Sequence, residues 1–436
     1  MEIWIGLALF VALIALLVVG VPVAFALFGV AIGSLYMLDG GLDGLSLIAS
    51  TVWGSVTNFT LTAVPLFILM GAIISASGMG SRLYNALATL MDGVPGGLMV
   101  ATTVACTVMA AVSGSSVATA GAIGRFAVGE MRRFGFQDSA SCGAVAAGGT
   151  LGILIPPSIP MIVYGIIAEQ SIGKLFISGV VPGLVMAGGF IVYQVWLALR
   201  VQAREKRVEK TTRASFADRM RALRDIGPIA ILIWIVLGSI YQGIATPTEA
   251  AALGTLASLI LGAVIYRELS FAKFIVILKE SARGSVMVLM IIAAAMAFGY
   301  VMTTTQVAPV LSRTVASLHV SPWMVFLAIN LLLLFLGCFM ETLSIIVITT
   351  PILVPIVAAF GWDLVWFGII MTINMEMALI TPPVGLNLFV VQGVVRDVPL
   401  SRIIAGTMPY VLIMAVVLAL VAIFPPLATG LAGSIR

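Results

Sequence analysis

The sequence predicts an all-α, polytopic membrane protein built as an inverted repeat, with two re-entrant helical hairpins and two discontinuous helices. Three observations carry that reading. Of 436 residues, 61% are hydrophobic and only 9% charged, against roughly 25% charged in an average soluble domain. Mean hydropathy is +1.20, and apolar runs recur from Ile3 to Leu427 with few hydrophilic gaps. Finally, the two halves match at a shift of 225 to 227 residues, each carrying one polar break inside an apolar run and one double proline.

The length alone would allow two or three soluble domains, but the composition makes the chain one large membrane domain surrounded by lipid. Soluble enzymes, nucleic-acid binders and disordered scaffolds are excluded. The net charge of +4 is no nucleic-acid footprint, because the basic residues sit in short loops. Cys106, Cys142 and Cys338 are far apart in apolar stretches, which argues against a disulfide framework or a CxxC site. His319 is the only histidine; it reads as a solvated loop residue and leaves no basis for a histidine metal site or triad. Met1-Glu2-Ile3-Trp4 lacks a basic n-region, so the first apolar run is expected to be a retained span and not a signal peptide.

A span needs about 20 mostly apolar residues. Candidates lie near 3–20, 22–38, 60–79, 139–168, 174–198, 226–245, 248–266, 284–305, 363–395 and 403–424. Two further segments, 96–130 and 323–359, are too long for one span and are interrupted, the first at Ser113-Gly114-Ser115-Ser116 and the second around Met340-Glu341-Thr342. Each is expected to be a hairpin of two half-helices entering and leaving on one side, buried in protein or lining a cavity, since irregular backbone is not tolerated against lipid. The alternative is two ordinary spans with a polar interruption.

Charge distribution sets the orientation. The hydrophilic segment 200–225 holds nine basic residues against four acidic ones, which places it in the cytoplasm. With re-entrant hairpins, Arg82, Arg132, Arg133, Arg267, Lys273, Lys279, Arg283, Arg396 and Arg402 are cytoplasmic too, and only Lys174, Arg313 and Arg436 fall outside. A single ordinary crossing in place of the second hairpin would move Arg396 and Arg402 outside. Both termini are then extracytoplasmic.

Residues 1–199 form the first repeat, with hairpin 96–130 and broken helix 139–168. Residues 200–225 form a basic cytoplasmic linker, and 226–436 the second repeat, with hairpin 323–359 and broken helix 363–395. Pro22 and Gly29 pair with Pro247 and Gly254, Pro156-Pro157 with Pro382-Pro383, and Gly179 and Pro182 with Gly406 and Pro409. Each half has five full crossings, an odd number, so the second inserts upside down, a usual construction of secondary transporters. Segment 268–283 is amphipathic, with Phe271, Phe274, Ile275 and Leu278 on one side. It and its partner near 42–53 read either as in-plane surface helices or as ordinary loop helices.

The double prolines are the most specific chemical signal. Proline lacks an N–H and clashes with the preceding turn. Two in succession, in Gly152-Ile153-Leu154-Ile155-Pro156-Pro157-Ser158 and in Ile380-Thr381-Pro382-Pro383-Val384-Gly385, should unwind a helix and free carbonyls near the midplane. Freed carbonyls and hydroxyls suit a hard monovalent cation such as sodium, and nearby half-helix N-termini suit an anionic group. The serines and glycine at 113–116 add hydroxyls beside the first break, or serve close helix packing. Glu341 at the second tip is a functional candidate because a membrane-buried carboxylate is costly. Glu376 and Arg125 are further intramembrane charges, read either as structural partners of the hairpins or as substrate contacts.

At these residues the chain resembles the large membrane (M, DctM-type) subunit of the tripartite ATP-independent periplasmic (TRAP) transporters, over essentially its whole length. The resemblance implies an elevator of the ion-transporter-superfamily kind, in which hairpins and broken helices slide against a fixed scaffold. It also implies two sodium sites, a small four-helix membrane subunit (Q-type), a periplasmic substrate-binding protein (P-type) and residence in the bacterial inner membrane. Carried over position by position, the first sodium site falls on Ser113, Ser116, Gly152, Ile155 and Pro157, and the second on Gly337, Ala378, Thr381 and Val384. Substrate contacts are expected among Ser115, Thr119, Ser158, Glu341, Thr342, Gly385 and Asn387. The chain departs from the family at Arg125 and Gly129, where a small residue and a proline are usual.

The expected function is therefore sodium-coupled import of a small organic anion, such as a C4-dicarboxylate or sugar acid, with sodium as coupling ion and no other cofactor. No GxxxxGK[ST] motif is present that would serve ATP. The alternative is a single-component sodium/dicarboxylate symporter of related architecture. An intramembrane enzyme lacks its HExxH or Ser-His signature, and a channel fits the odd inverted repeat poorly.

Overall fold

In a computed structural model, residues 2–38, 42–205, 214–317 and 320–434 are described; His319 and Arg436 lie outside them. Among the described residues all regular structure is helical, and eight helices are long and apolar enough to cross a membrane. The first half runs Glu2–Val18, Val23–Leu38, Leu42–Val56, Phe59–Ala76, Met79–Leu90, a hairpin, a broken helix and Ile172–Glu205. The second repeats that order as Phe216–Tyr241, Pro247–Ile265, Phe271–Thr304, Val307–Ser317, a hairpin, a broken helix and Leu400–Ile423.

Local chemistry sets the starts. Thr246 caps the helix that follows, its hydroxyl accepting from the Glu249 N–H while the Glu249 carboxylate accepts from the Thr246 N–H, with Pro247 in the first turn. Ser215 and Asp218 make the same reciprocal pair. Such boxes satisfy the donors that a helix start leaves open.

The hairpins are Gly97–Ser113 with Ser116–Arg133, and Pro322–Gly337 with Thr342–Ala359. The broken helices are Asp138–Leu154 with Ile159–Ile167, and Leu364–Ala378 with Leu386–Val394. Both are central: residues 141–154 and 365–378 are buried throughout. The first of these runs is mostly Ala, Gly, Ser and Thr, which lets neighbouring backbones approach closely. Gly406 on the last long helix lies against the Ser139 carbonyl, and the space beside Gly143 is filled by the Gly406 backbone. The outer helices expose Trp234, Leu412 and Val416, as a lipid-facing surface should.

One expectation is corrected. Segment 268–283 is not a separate in-plane helix. Ser270 caps a single helix, Phe271–Thr304, of 34 residues, about 51 Å at 1.5 Å per residue and longer than a ~30 Å hydrocarbon core. No proline interrupts Ser281-Ala282-Arg283-Gly284, so the amphipathic stretch simply continues into the span. Its first-half counterpart is separate, because Asn58 starts a new turn over Phe59–Thr62. The 200–225 linker is likewise helical at both ends, the preceding helix reaching Glu205 and the next starting at Phe216.

Candidate functional site

The tip of the first hairpin is built by a change of backbone hand. Gly114 closes the first arm at φ +61° and Ser115 turns extended to start the second. This tip packs into the first break. A Cβ on Gly114 would stand 2.8 Å from the Pro157 carbonyl oxygen, and one on Gly152 would stand 2.8 Å from the Ser115 oxygen. The Ser116 hydroxyl crosses the seam to donate to the Gly149 carbonyl at 3.0 Å. Positions 156 and 157 supply no N–H, so the carbonyls of Gly152 and Ile153 lack their helical donors.

Asn387, at the start of the last half-helix, closes the cluster. Its Nδ2 donates to Ser116 Oγ at 2.8 Å and reaches the Ala146 carbonyl at 3.4 Å. Its Oδ1 is buried and, among the described residues, has no hydrogen-bond partner. Ser113 and Thr119 share a hydrogen bond of 2.7 Å, and Thr119 also donates to the Ser115 carbonyl at 2.8 Å. Ser158 caps the half-helix beyond the break through the Met161 N–H. Ile155 packs on Gly183.

The second break is closed differently. Gly337, last residue of its hairpin arm, lies against the Ala378 side chain. The Ala378 carbonyl accepts from the Thr381 N–H at 3.1 Å, and the Leu379 carbonyl from the Asn387 N–H at 3.0 Å. The Thr381 hydroxyl donates to Met377 at 2.7 Å. Gly385 turns at φ +60° with its α-carbon facing the Thr381 carbonyl, and Val384 beside it is half-buried.

The expected substrate residues do not form one group. Ser115, Thr119, Ser158 and Asn387 gather at the first tip. Glu341 and Thr342 stand elsewhere: Glu341 lines a cavity of about 700 Å³ with Pro22, Phe25 and Arg283. Glu376 is fully buried, its carboxyl beside the backbone of Ile153 and Leu154. Sequence reasoning missed the Asn330–Asn374 pair, which ties the second hairpin to the second broken helix at 2.9 Å. It also missed the buried Thr103, Gln194 and Tyr410 network. The available signal was a polar residue inside an apolar run.

At one end of the molecule Arg132 binds Asp138 at 2.7 Å and Asp397 at 2.8 Å. It joins the first hairpin to the start of one broken helix and the end of the other. The guanidinium holds the exposed Asp397 carboxyl below its ordinary range.

The family model for the tripartite ATP-independent periplasmic transporter, DctM component, matches residues 10–427. The chain belongs to that family. It is a polytopic membrane component of a secondary transporter for organic acids that works with a substrate-binding protein. The DctM-family chain is 40% identical to the C4-dicarboxylate TRAP transporter large permease protein DctM of Pseudomonas aeruginosa over 92% of each chain. It is 34% identical to the sialic acid TRAP transporter large permease protein SiaM of Vibrio cholerae, over 94% of this chain and 95% of that one. Its fold resembles the crystal structure of the Alcanivorax borkumensis YdaH transporter, with a TM-score of 0.66 at 16% identity, over 90% and 91% of the two chains.

Proposed function

We propose that this DctM-family chain imports a small organic anion, a carboxylate such as a C4-dicarboxylate or sugar acid, against its gradient by coupling to sodium. The observation that carries the reading is the seam between the first hairpin tip and the first break. There the Gly152 and Ile153 carbonyls lack helical donors, Ser116 Oγ sits across the seam, and Asn387 Oδ1 is buried with no hydrogen-bond partner among the described residues. Sodium needs several oxygen ligands, and this cluster offers backbone, hydroxyl and amide oxygens. Ser113, Ser116, Gly152, Ile155 and Pro157 are the residues assigned to hold it. Gly337, Ala378, Thr381 and Val384 are assigned to a second ion; the Ala378 carbonyl accepts one hydrogen bond, from the Thr381 N–H, and keeps a second lone pair for a cation.

Ion binding would pin hairpin to broken helix and organise the substrate site beside it. The reciprocal statement is that substrate tightens sodium binding. Hairpins and broken helices then move together across the membrane against the outer helices, with a four-helix membrane subunit as further scaffold and a periplasmic binding protein delivering substrate. The spread of relatives over a C4-dicarboxylate and sialic acid supports an acid as substrate. The test is uptake of labelled succinate and sialic acid into proteoliposomes holding the chain, its small subunit and candidate binding proteins. Uptake driven by an inward sodium gradient is expected; equal uptake with the gradient replaced by potassium would refute sodium coupling.

A further inference from the structure

We propose that Arg125 is an anion-binding residue on the substrate path, taking a carboxylate or sulfonate of a small organic acid in a cavity beside the first hairpin. The ligand class rests on the organic-anion reading above; the site itself rests on geometry.

The cavity has a volume of about 750 Å³, within the range of small-molecule sites. One wall is the second arm of the first hairpin, from Val117 beside the tip to Arg125. Those residues lie about 12 Å apart along the helix at 1.5 Å per residue. The facing walls are Ser75 and Ser81, outside the hairpins, and Val390 of the second broken helix. It therefore opens at the seam where hairpin and broken helix meet the surrounding helices, and it runs from the tip toward the end marked by Arg132.

Among the described residues, Arg125 is the only charged one lining it. A guanidinium within a hydrocarbon layer is costly unless it faces water or a partner, and Arg125 is exposed with no ion pair among the described residues. Four carboxylates at this end are already engaged: Asp138 and Asp397 by Arg132, Glu130 by Arg133, and Glu268 by Arg82. The five donors of an uncompensated arginine match a carboxylate or sulfonate in two-point contact. An anion released from the tip meets this charge next.

The experiment uses the full chain in phosphatidylcholine nanodiscs, so that no anionic headgroup competes. A cysteine is placed across the cavity by Ser75→Cys; the native Cys106, Cys142 and Cys338 are buried. Its reaction rate is measured with an anionic and a cationic methanethiosulfonate, with Arg125 intact and as Arg125→Gln or Arg125→Lys. Arg125 should favour the anionic reagent about tenfold, as expected where a cleft of one sign concentrates counter-ions. Arg125→Lys should keep much of that preference and Arg125→Gln should abolish it. Millimolar succinate should slow the anionic reagent only when position 125 is charged, and more than chloride of equal ionic strength. An unchanged preference in Arg125→Gln overturns the site, and equal protection by chloride overturns its assignment to an organic acid. The labelling ratio does not depend on transport, so a failure of sodium-driven uptake is distinguishable from a failure here.

Discussion

Asn387 donates from Nδ2 to the Ser116 hydroxyl at 2.8 Å, across 271 residues of sequence. That bond joins the second broken helix to the first hairpin, and Ser116 passes it on to the first broken helix through Gly149. Elements from both repeats thus meet at one hydroxyl. Ser116→Ala and Asn387→Ala should each lower the melting temperature of the purified chain, and the double variant should lose less than the sum. The coupling should be about 1 kcal/mol, as for one buried hydrogen bond. Strict additivity would show that the two side chains do not act together.

Gly152 is a close-approach position. A Cβ there would stand 2.8 Å from the Ser115 oxygen and 3.0 Å from the Ser116 nitrogen. Gly152→Ala should therefore destabilise by about 1–3 kcal/mol, the usual cost of overpacking. Gly188, inside a long helix with nothing within 4 Å of its Cβ position, is the control. Gly188→Ala should stabilise by about 0.5–1 kcal/mol. Paired thermal melts read both, and a melt of Gly152→Ala above the parent would contradict the packing of tip into break.

The Arg132–Asp397 pair gives a pH dependence with a defined sign. Arg132 lowers the Asp397 carboxyl below its ordinary range, so the stabilisation is present above the unfolded value near 3.9. It is lost as the pH falls through the lower folded value. Asp397→Asn should melt slightly below the parent at pH 7, and the gap should close as the pH is brought below about 4. The gap should be small, because Asp397 is largely exposed and such pairs contribute little. A gap that widens on acidification would contradict the pairing.

Topology is read by single-cysteine labelling in oriented membranes. Arg133→Cys, at the end of the first hairpin, should react with an impermeant reagent only from the cytoplasm. Lys174→Cys, beyond the first broken helix, should react only from the other side. Labelling of both from one side would refute the first broken helix as a full crossing, and with it the odd, inverted repeat.

Much of the architecture was legible because its punctuation is chemical. Pro156-Pro157 and Pro382-Pro383 remove donors that a helix cannot spare, and Ser113-Gly114 puts a turn where the apolar run allows no other. The continuity of Phe271–Thr304 was not legible, since an amphipathic pattern passing into an apolar one carries no stop signal. Ser115, Thr119, Ser158 and Asn387 are expected together with Glu341 on the family resemblance, and the separation of Glu341 from them was not legible. A hairpin tip in sequence does not say which neighbour it faces, and Glu341 faces Pro22 and Arg283. Arg125 stood out as a charge in an apolar run; only the packing shows that four nearby carboxylates are spoken for.

The sodium seam is tested most directly by uptake against external sodium concentration in proteoliposomes, comparing the parent chain with Ser116→Ala and Pro157→Ala. Pro157→Ala should let the helix partly re-form and offer a donor to the Ile153 carbonyl, and Ser116→Ala removes an oxygen at the seam. Both should raise the sodium concentration for half-maximal uptake several-fold while binding-protein docking is retained. Parent-like sodium dependence in both variants would contradict the assignment of the first ion to the hairpin tip and the double-proline break.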